Sequence, residues 1–524
     1  MVAASQALAV AAGLAALQAG GTAADAAIAT AAALNVTEPT STGLGGDAFA
    51  LYYEASTRRV YSLNGSGRAP RALSLARLQR EGLAQGLPQE HPYTITVPGA
   101  AAAWCDLVER FGRLPLAKIV EPAVRLAEAG FPVAPITAYY WQKAARGVLS
   151  RSANGRELTL DGRGPNAGEP FRNPGLARSL RALAEGGKSG FYQGPVAEAV
   201  VRVVQEAGGC LGLEDLAEHT STWSEPISTT YRGLRVYECP PNGQGLATLL
   251  ALNLLEGFDL ASMPALSTAR LHLEIEAMRL AFADARRYVA DPATNPAPLD
   301  WLLRKSYAGE RRKLIDPQRA AVEIRSGTPP ASSDTVYLSV VDGEGNACSF
   351  INSNYMGFGT GIVPPGWGFS LQNRGHNFSL DLESPNVLAP GKRPYHTIIP
   401  ALATRAEDES LYASFGVMGG FMQPQGHLQV LLALVDDGLD PQSALDRPRW
   451  CIEPGDLGGP VALEEGIAPQ VMSTLQALGH PVTPVSGMER SLFGRGQIIH
   501  RDPLTAVLCG GSDPRADGCA MGVV

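Results

Sequence analysis

One segment late in the chain, residues 334–353, predicts a β-hairpin. The run from Thr335 to Val341 is rich in β-branched and aromatic residues, Asp342 to Asn346 supplies turn residues, and Ala347 to Asn352 is again apolar. This pattern is typical of two antiparallel strands joined by a tight turn. If the bond between Asp334 and Thr335 were cleaved, Thr335 would carry a hydroxyl nucleophile and a free α-amino group as its base. Residue types alone favour an ordinary strand threonine, so support for a nucleophilic role has to come from other parts of the chain.

The composition describes a globular protein and excludes several kinds of partner. The 524 residues are 45% apolar and 18% charged, which is enough for a large core and for two halves. The formal net charge of −8 argues against nucleic acid, because phosphate binding needs clustered Lys and Arg. No apolar run of about 18 residues occurs, so no membrane span is expected. The seven cysteines are scattered without a Cys-x-x-Cys pair, which suggests neither a disulfide framework nor a zinc site and favours a reducing cytoplasm.

The N-terminal region imitates a secretory signal peptide. Ala7 to Leu17 is rich in Ala and Leu, but no Lys or Arg precedes Arg58, so the positively charged n-region is missing. Gly20–Gly21 instead predicts the end of one helix, and Thr22 or Asp25 the start of another. We therefore expect two buried helices and a cytoplasmic protein. Removal of a leader upstream of this sequence is the alternative.

Two glycine-rich loops lie in the first part of the chain. Glu38 to Asp47 leads into a predicted strand over Ala48–Tyr53, and Asn64 to Pro70 follows. Each loop is either a simple tight turn or backbone packed against a site, and the spacing does not decide between them. Arg68, alone among small residues in the second loop, is a candidate ligand for a substrate carboxylate. An ordinary surface arginine is the simpler interpretation.

Two later patterns do not point to chemistry on their own. Residues Ala182 to Ser189 satisfy a relaxed P-loop pattern, but they end a predicted helix over Leu176–Ala184, whereas a phosphate loop follows a strand and opens a helix. The predicted helix His272–Tyr288 carries several acidic and basic residues. A metal site or carboxylate pair is one interpretation, and solvated or paired helix charges are the simpler one.

A boundary and a candidate oxyanion site are predicted in the last two-fifths of the chain. Ile315 to Asp334 is polar and rich in turn residues, so it is the best linker. Further on, a buried strand over Ser414–Met418 leads into Gly419–Gly420, and a helix is predicted over Gln425–Asp436. Backbone N–H groups at such a turn can stabilise an oxyanion. A mere helix-entry turn has the same pattern.

Seven motifs, taken in order, identify a known family that the chain resembles. They are Glu-Pro…Ser-Thr-Gly-Leu-Gly-Gly-Asp (38–47), Val-Pro-Gly-Ala (97–100), His-Leu-Glu-Ile-Glu-Ala-Met-Arg-Leu-Ala-Phe-Ala-Asp (272–284), Asp-Thr-Val-Tyr-Leu-Ser-Val-Val-Asp (334–342), Gly-Phe-Gly-Thr-Gly-Ile-Val (357–363), Gly-Lys-Arg-Pro (391–394) and Ser-Asp-Pro-Arg-Ala-Asp-Gly (512–518). On these motifs the chain resembles the γ-glutamyltransferase family of N-terminal nucleophile hydrolases over essentially its whole length. It looks most similar to bacterial, non-secreted members, which include oxamate amidohydrolase-like and cephalosporin acylase-like proteins.

The resemblance implies a fold and a maturation step. The fold would be α+β, a four-layer αββα sandwich, made first as an inactive precursor. Self-cleavage before Thr335 would give a large fragment, 1–334, and a small fragment, 335–524, which stay together as an αβ heterodimer or a dimer of these. Thr335 would then attack a small-molecule amide, and water or an acceptor amine would resolve the ester. A free α-amino group, with an ordinary pKa of about 7.7–8.0, suits the role of base. No metal or other cofactor is implied.

The resemblance also implies roles for individual residues. Thr335 would be the nucleophile, Ser353 the hydroxyl that hydrogen-bonds it, and Gly419 and Gly420 the oxyanion loop. Substrate contacts would come from Arg68, Tyr355, Arg374, Asn377, His396 and Thr397.

Several departures from the family pattern bear on the substrate. Members that bind a γ-glutamyl group hold its α-carboxylate with an Arg in Arg-Glu-Thr/Met-Ala-Pro, whereas here Arg68 lies two places nearer the Pro. Asn377 replaces the Asp that pairs with the α-ammonium, and a neutral amide loses that charge pairing. His396 and Thr397 replace a Ser-Ser pair, and Leu380 to Pro390 is shorter than the active-site lid of many members. These differences predict a more open pocket and an acyl group with a carboxylate but no ammonium.

Three functions therefore remain open. The first is a γ-glutamyl hydrolase or transferase acting on glutathione-like amides, and the family pattern as a whole favours it. The second is an amidohydrolase or acylase with the same threonine chemistry and another acyl group, such as oxamate or a dicarboxylic acyl amide, which Asn377 and His396 favour. The third is a binding protein that never matures and has no activity.

Overall fold

A computed structural model describes residues 1–83, 86–321, 335–453 and 459–523. Helices and strands are mixed throughout, as the α+β expectation requires. The strands are β1 (Val2–Ala4), β2 (Asp47–Glu54), β3 (Arg59–Gly65), β4 (Phe131–Pro132), β5 (Pro170–Phe171), β6 (Thr222–Ser224), β7 (Ile227–Tyr231), β8 (Leu234–Glu238), β9 (Val336–Val341), β10 (Ala347–Ser353), β11 (Ala401–Arg405), β12 (Leu411–Met418), β13 (Trp450–Ile452), β14 (Val461–Glu464), β15 (Val482–Val485), β16 (Arg495–Arg501), β17 (Leu508–Ser512) and β18 (Cys519–Met521).

The α-helices lie between groups of these strands along the chain. They are α1 (Ala7–Gln18), α2 (Ala23–Thr37), α3 (Leu75–Arg80), α4 (Ala100–Phe111), α5 (Leu116–Ala129), α6 (Pro135–Arg146), α7 (Val148–Arg151), α8 (Pro174–Gly186), α9 (Lys188–Tyr192), α10 (Gly194–Glu206), α11 (Leu213–Ala217), α12 (Gly245–Leu255), α13 (Thr268–Tyr288), α14 (Leu299–Leu302), α15 (Lys305–Arg312), α16 (Met422–Val435), α17 (Pro441–Asp446) and α18 (Pro469–Ala477).

The predicted hairpin lies inside a seven-stranded sheet of order β18-β1-β9-β10-β2-β3-β6. Strands β9 and β10 are antiparallel, with Val336 opposite Asn352 and Val341 opposite Ala347, so the hairpin prediction is confirmed. On its other side β10 pairs with β2, which puts Ser353 opposite Asp47. The start of β9, the end of β10 and the start of β2 therefore meet at one edge of the sheet.

A six-stranded sheet, of order β17-β16-β12-β11-β8-β7, faces the first one. Alternate residues of the hairpin explain the contact, because successive side chains of a strand point to opposite faces. Tyr337 and Val341 join one buried cluster with Leu402 and Met418 of the second sheet. Leu338 and its neighbours on the other face join the apolar cluster that contains α1, α2, α4 and α5. Helices α12, α13 and α16 cover the outer face of the second sheet.

Both predicted N-terminal helices are confirmed, but only α2 is fully buried, whereas α1 exposes one side to solvent. Helix α2 is buried along its whole length and begins with a capping box, in which Thr22 and Asp25 bond each other's backbone N–H groups. Its many alanines let α1 approach closely. A Cβ added at Gly13 of α1 would lie 2.2 Å from the hydroxyl oxygen of Thr30, so glycine is required for this approach. Among the described residues, none of the helices is both long and apolar enough to cross a membrane.

Two other sequence expectations can be compared with the structure. The P-loop-like residues Ala182–Ser189 run from the end of α8 into α9. The segment therefore follows a helix and not a strand, which confirms that it is not a phosphate loop. Helix α13 carries its charges in buried ion pairs rather than in solvent. Arg270 bonds Glu274 at 3.0 Å and Asp437 at 2.6 Å, and all three side chains are largely buried.

The helix after Gly419–Gly420 begins earlier than expected. It starts at Met422, not at Gln425. The prediction placed the start after Pro424, but a proline is tolerated in the first turn of a helix, where its missing N–H costs no internal hydrogen bond. The two glycines therefore lie immediately before the first turn of α16.

Candidate active site

The hydroxyl groups of Thr335 and Ser353 lie together at the edge of the first sheet. Thr335 directly precedes β9, Ser353 ends β10, and their oxygen atoms are 3.0 Å apart. Both residues are completely buried. Antiparallel pairing of the hairpin brings these two residues side by side, although 18 positions separate them along the chain. Asp334, the residue before the expected processing bond, lies outside the described residues.

Arg374 connects Ser353 to the segment around Thr397. Its Nη2 donates to Ser353 Oγ at 3.2 Å and its Nη1 donates to Thr397 Oγ1 at 2.7 Å. The guanidinium also lies 4.3 Å from the ring centroid of Tyr355, a cation–π distance. Burial lowers the pKa of Arg374 to about 10, so the side chain is still a cation at neutral pH. A buried positive charge thus stands beside the hydroxyl pair.

Tyr355 and Asn377 are held by each other and by the backbone. The Tyr355 hydroxyl donates to Asn377 Oδ1 at 2.5 Å, and Asn377 Nδ2 donates to the Tyr395 carbonyl at 3.1 Å. Tyr355 adopts a left-handed backbone conformation, with φ of 79°, and its own N–H donates to Ser353 Oγ at 2.8 Å. Burial raises the pKa of Tyr355 to about 12, so the phenol is neutral.

His396 binds Asp47 rather than either member of the hydroxyl pair. His396 Nε2 and Asp47 Oδ2 are 2.9 Å apart, and both side chains are fully buried. Burial, followed by the charge of Arg374, lowers the pKa of His396 to about 3, so the imidazole is neutral. Burial alone would raise the pKa of Asp47, but its hydrogen bond with His396 and the charge of Arg374 outweigh burial and hold this pKa below its usual value. The pair is therefore a carboxylate and a neutral imidazole.

The neutral state of His396 predicts how stability depends on pH. Because the folded pKa is lowered below the ordinary value of about 6.5, the contribution of His396 to stability is complete above pH 6.5 and is lost as the pH falls towards 3. One such group adds a slope of up to about 1.4 kcal/mol per pH unit. Urea unfolding between pH 7 and 4 measures the total slope, to which other buried histidines such as His219 also contribute, and His396→Gln should reduce it by the share of His396. His91→Gln, in a partly exposed site, is the control; an equal loss of slope in that variant would contradict the assignment.

Asp47 is the centre of this network, and the sequence analysis did not identify it as a site residue. Its Oδ1 accepts from the N–H of Gly67 at 3.0 Å, from the N–H of Gly99 at 3.1 Å and from Gln372 Nε2 at 3.0 Å. The two glycine-rich loops are thus tied together through one carboxylate. Its place as the last residue of the first loop was the available signal.

Gln244 joins the Thr397 segment to the glycine turn. Its Nε2 donates to the Thr397 carbonyl at 2.7 Å and to the Gly420 carbonyl at 2.8 Å. Gly419 and Gly420 have φ values of 134° and 61°, a region that side chains other than glycine rarely adopt. A continuous series of hydrogen bonds therefore runs from Thr335 through Ser353, Arg374, Thr397 and Gln244 to the glycine turn. The sequence analysis did not identify Gln244 either, since its partners are distant in the sequence.

Arg68 does not join this network. Its carbonyl accepts from the Val97 N–H at 3.0 Å, which fixes the loop one residue after Gly67. Its partly exposed guanidinium makes no hydrogen bond or ion pair with the described residues. The adjacent cation, Arg393, donates hydrogen bonds to the Ser66 and Thr220 carbonyls and to Thr222 Oγ1. Arg68 thus lies next to a second arginine and has no ion pair with the described part of the chain.

A cavity of about 770 Å³ opens beside Tyr355 and Gly419. Thr335 is not among its lining residues, in keeping with the burial of that residue. Apolar and aromatic side chains contribute much of the wall; they include Val148, Phe421, Met422, Ile452 and Leu492. Lys143, Glu453 and Glu489 add charge. A volume of this size accommodates a drug-sized molecule.

Comparisons with known proteins agree over nearly the whole chain. The profile of a family described as "Gamma-glutamyltranspeptidase" matches residues 9–523. The chain is 36% identical over 509 residues to the "Glutathione hydrolase-like YwrD proenzyme" of Bacillus subtilis (strain 168), covering 97% of this chain and 95% of the relative. It is 32% identical over 521 residues to the "Oxamate amidohydrolase proenzyme" of Klebsiella pneumoniae subsp. pneumoniae, covering 97% and 96%. A crystal structure of a cephalosporin acylase from Bacillus halodurans superimposes with a TM-score of 0.92 at 47% identity, covering 99% of this chain and 94% of that one.

Proposed function

This chain belongs to the γ-glutamyltranspeptidase family, and on that premise we propose that it is an amide hydrolase or acyltransferase with Thr335 as its N-terminal nucleophile. The observation that carries the proposal is the 3.0 Å contact between the hydroxyls of Thr335 and Ser353 at the head of β9. The proenzyme names of its relatives support self-processing.

In the proposed maturation step, Thr335 Oγ1 attacks the carbonyl carbon of Asp334. The acyl group moves from nitrogen to oxygen, and water cleaves the resulting ester, which releases the α-amino group of Thr335. The products would be fragments 1–334 and 335–524, packed in a four-layer αββα sandwich. The sheet order supports their staying together as an αβ heterodimer. Strand β1 of the first fragment pairs with both β9 and β18 of the second, and β2 pairs with β10. A dimer of these heterodimers would be the further assembly.

In the proposed catalytic cycle, the α-amino group of Thr335 takes the hydroxyl proton as Oγ1 attacks the substrate amide. The Ser353 hydroxyl orients the nucleophile, and the N–H groups of Gly419 and Gly420 stabilise the oxyanion. Loss of one such donor typically costs about 10²–10³ in rate. The amine leaves with the proton, and water or an acceptor amine resolves the ester. Thr397, and Tyr355 with Arg374, would complete the substrate-binding wall.

A γ-glutamyl amide is the first substrate candidate, since relatives of this chain are named glutathione hydrolases. Arg68 is the proposed ligand of the acyl carboxylate, because its guanidinium makes no ion pair within the described residues and Arg393 adds positive potential beside it. His396 would shape this side of the pocket through its bond to Asp47, whose Oδ1 fixes the Arg68 loop at Gly67.

Arg68→Met is expected to raise KM for acyl amides that carry a carboxylate by about 10–100-fold, with a much smaller change in kcat. A hydrogen bond to a charged group contributes about 1.5–3 kcal/mol, and this one binds substrate and transition state alike. Initial rates over a substrate series measure the effect. Arg71→Met, which removes an exposed ion pair with Glu218, is the matched control. An unchanged KM, or an equal rise with an uncharged acyl amide, would rule out the carboxylate contact.

A second candidate is an acylase or amidohydrolase for an acyl group without an α-ammonium. Asn377 favours it, because both ends of its neutral amide are engaged, by Tyr355 and by the Tyr395 carbonyl. The large, mostly apolar cavity also suits a leaving amine bulkier than a dipeptide. Both candidates use the same nucleophile and differ in the pocket.

Parallel assays with γ-glutamyl-p-nitroanilide, oxamate and glutaryl amides test these alternatives. The first candidate expects turnover of the γ-glutamyl compound; turnover only of another amide would replace it with the second. A chain that remains uncleaved and turns over none of them would contradict the enzymatic proposal altogether.

A further inference from the structure

A cluster of three ligand-type side chains lies outside the site described above. His272 and Glu276 are four residues apart on α13 and so share one face of the helix. His480 follows α18 and completes the group. All three are buried, with exposed fractions of 0%, 2% and 2%. One donor atom from each lies within 4.8 Å of the other two.

We propose that His272, Glu276 and His480 form a site for a divalent transition metal ion, Zn²⁺ in the first instance. Two imidazoles and one carboxylate match the ligand types that Zn²⁺ uses, and a tetrahedral ion would take one further ligand. Zinc bonds of about 2.0–2.2 Å in tetrahedral geometry place donor atoms about 3.3 Å apart. The 2.8 Å between His272 Nδ1 and His480 Nε2 would lengthen slightly on binding, and no pair of ligand atoms is more than 4.8 Å apart. The family resemblance implied no metal, and the proposed hydrolase chemistry needs none.

The hydrogen bonds of His272 prepare it for this role. Its Nε2 lies 2.7 Å from the carbonyl oxygen of Asp316, which can only accept, so Nε2 carries the proton. Nδ1 therefore presents a lone pair, and it points at His480 Nε2, 2.8 Å away. A ligating histidine that donates its other N–H to a backbone carbonyl is the usual arrangement at metal sites.

Two buried polar atoms of the cluster have hydrogen-bonding capacity left over. His480 Nδ1 and Glu276 Oε1 find no hydrogen-bond partner within the described parts of the chain. With a cation bound, the proton of neutral His480 would sit on Nδ1 while Nε2 ligates, and Glu276 Oε1 would supply the third bond. The other carboxylate oxygen already accepts from the Ala321 N–H at 2.9 Å, which orients the group. Buried polar atoms are rarely left unsatisfied without a reason.

The positive charge of Arg279 lies next to the cluster and would oppose a bound cation. Arg279 Nε lies 3.7 Å from Glu276 Oε1, and the same guanidinium donates to the Gly459 carbonyl at 3.1 Å. A positive charge at this distance lowers the affinity for a metal ion. Arg279→Met should therefore tighten metal binding by about tenfold or more. If His272 and His480 only form a hydrogen bond and bind no metal, this substitution would not produce metal binding.

The site would also stabilise the segment from Asp316 to Ala321. The Asp316 carbonyl and the Ala321 N–H, which hold the ligands, lie in the last described residues before Thr335. Metal loading should therefore slow proteolysis of the 316–321 segment.

Calorimetric titration of the metal-stripped full chain with ZnCl₂ alone tests the proposal. We expect one equivalent of Zn²⁺ bound per chain. Binding should be at least about 100-fold weaker in Glu276→Gln and His480→Ala, since even losing an outer-shell partner of a ligand lowers metal affinity by about 10–100-fold. Binding should be tighter in Arg279→Met. His500→Ala, in β16, is the matched control and should bind one equivalent unchanged.

A measurement on the unmodified chain keeps the proposal testable if a variant does not fold. Substitution by Co²⁺ should give the intense visible absorption of a four- or five-coordinate site. No saturable Zn²⁺ binding, only the weak absorption of octahedral Co²⁺, or binding that survives both ligand substitutions would overturn the proposal. None of these results bears on Thr335, so a failure here is distinct from a failure of the proposed hydrolase function.

Discussion

Thr335→Ala is expected to leave the chain as a single species of 55.1 kDa and to lower amide hydrolysis by on the order of 10³-fold or more. Alanine removes the hydroxyl that would attack both the Asp334 carbonyl and the substrate, so processing and turnover fail together. The buried pocket around residue 335 tolerates the loss of two atoms, because Thr335 Oγ1 touches the hydroxyl of Ser353 rather than a charge. The fold should therefore persist.

Denaturing electrophoresis and initial-rate assays measure these two effects. Thr335→Ser retains a hydroxyl and should recover cleavage into two smaller bands and part of the activity. Thr404→Ala, a buried strand threonine in the second sheet, is the matched control and should be processed normally. Two bands from Thr335→Ala, or full turnover by the uncleaved chain, would remove Thr335 from the mechanism.

Asp47→Asn is expected to lower the apparent free energy of unfolding by about 3–5 kcal/mol, because it leaves the buried cation of Arg374 without the nearby negative charge. The carboxylate accepts four hydrogen bonds, and its charge offsets the buried guanidinium of Arg374. An amide can satisfy the three donors at Oδ1, but its NH₂ group would then face His396 Nε2. The imidazole cannot simply change tautomer, since Nδ1 already accepts from the Ile398 N–H at 3.4 Å.

Urea unfolding of the Thr335→Ala precursor, with and without Asp47→Asn, isolates this effect from processing. Asp106→Asn is the control: its partly exposed ion pair with Lys188 should contribute at most about 1 kcal/mol. A loss below 1 kcal/mol in Asp47→Asn would mean that the two glycine-rich loops are held by other contacts.

Features of the fold that depend on residues close together in the sequence could be predicted from the sequence. The hairpin around Asp342 and the turn between α1 and α2 follow from neighbouring residues, and both are confirmed. The predicted start of α16, Gln425, was wrong by three residues: the helix begins at Met422 and carries Pro424 in its first turn, a position that tolerates proline.

The contacts of the site were beyond sequence reasoning for a different reason. Asp47 and His396 are 349 positions apart, and Gln244 and Gly420 are 176 apart. No local pattern shows which buried polar group will meet which, because those pairings follow from sheet order. The roles suggested for Asn377 and Arg68 stay predictions, since a side chain's partner in the free protein does not determine its contact with a substrate.

The interleaving of strands from the two proposed fragments changes how the mature protein would respond to denaturation. In the precursor, β1, β9 and β18 find one another within one molecule, and refolding does not depend on concentration. After cleavage the same pairings join two separate chains, so reassembly becomes a second-order reaction that slows on dilution. The working lifetime of the enzyme would then be set by its rate of unfolding rather than by an equilibrium. Once unfolded, the processed enzyme would therefore not readily refold.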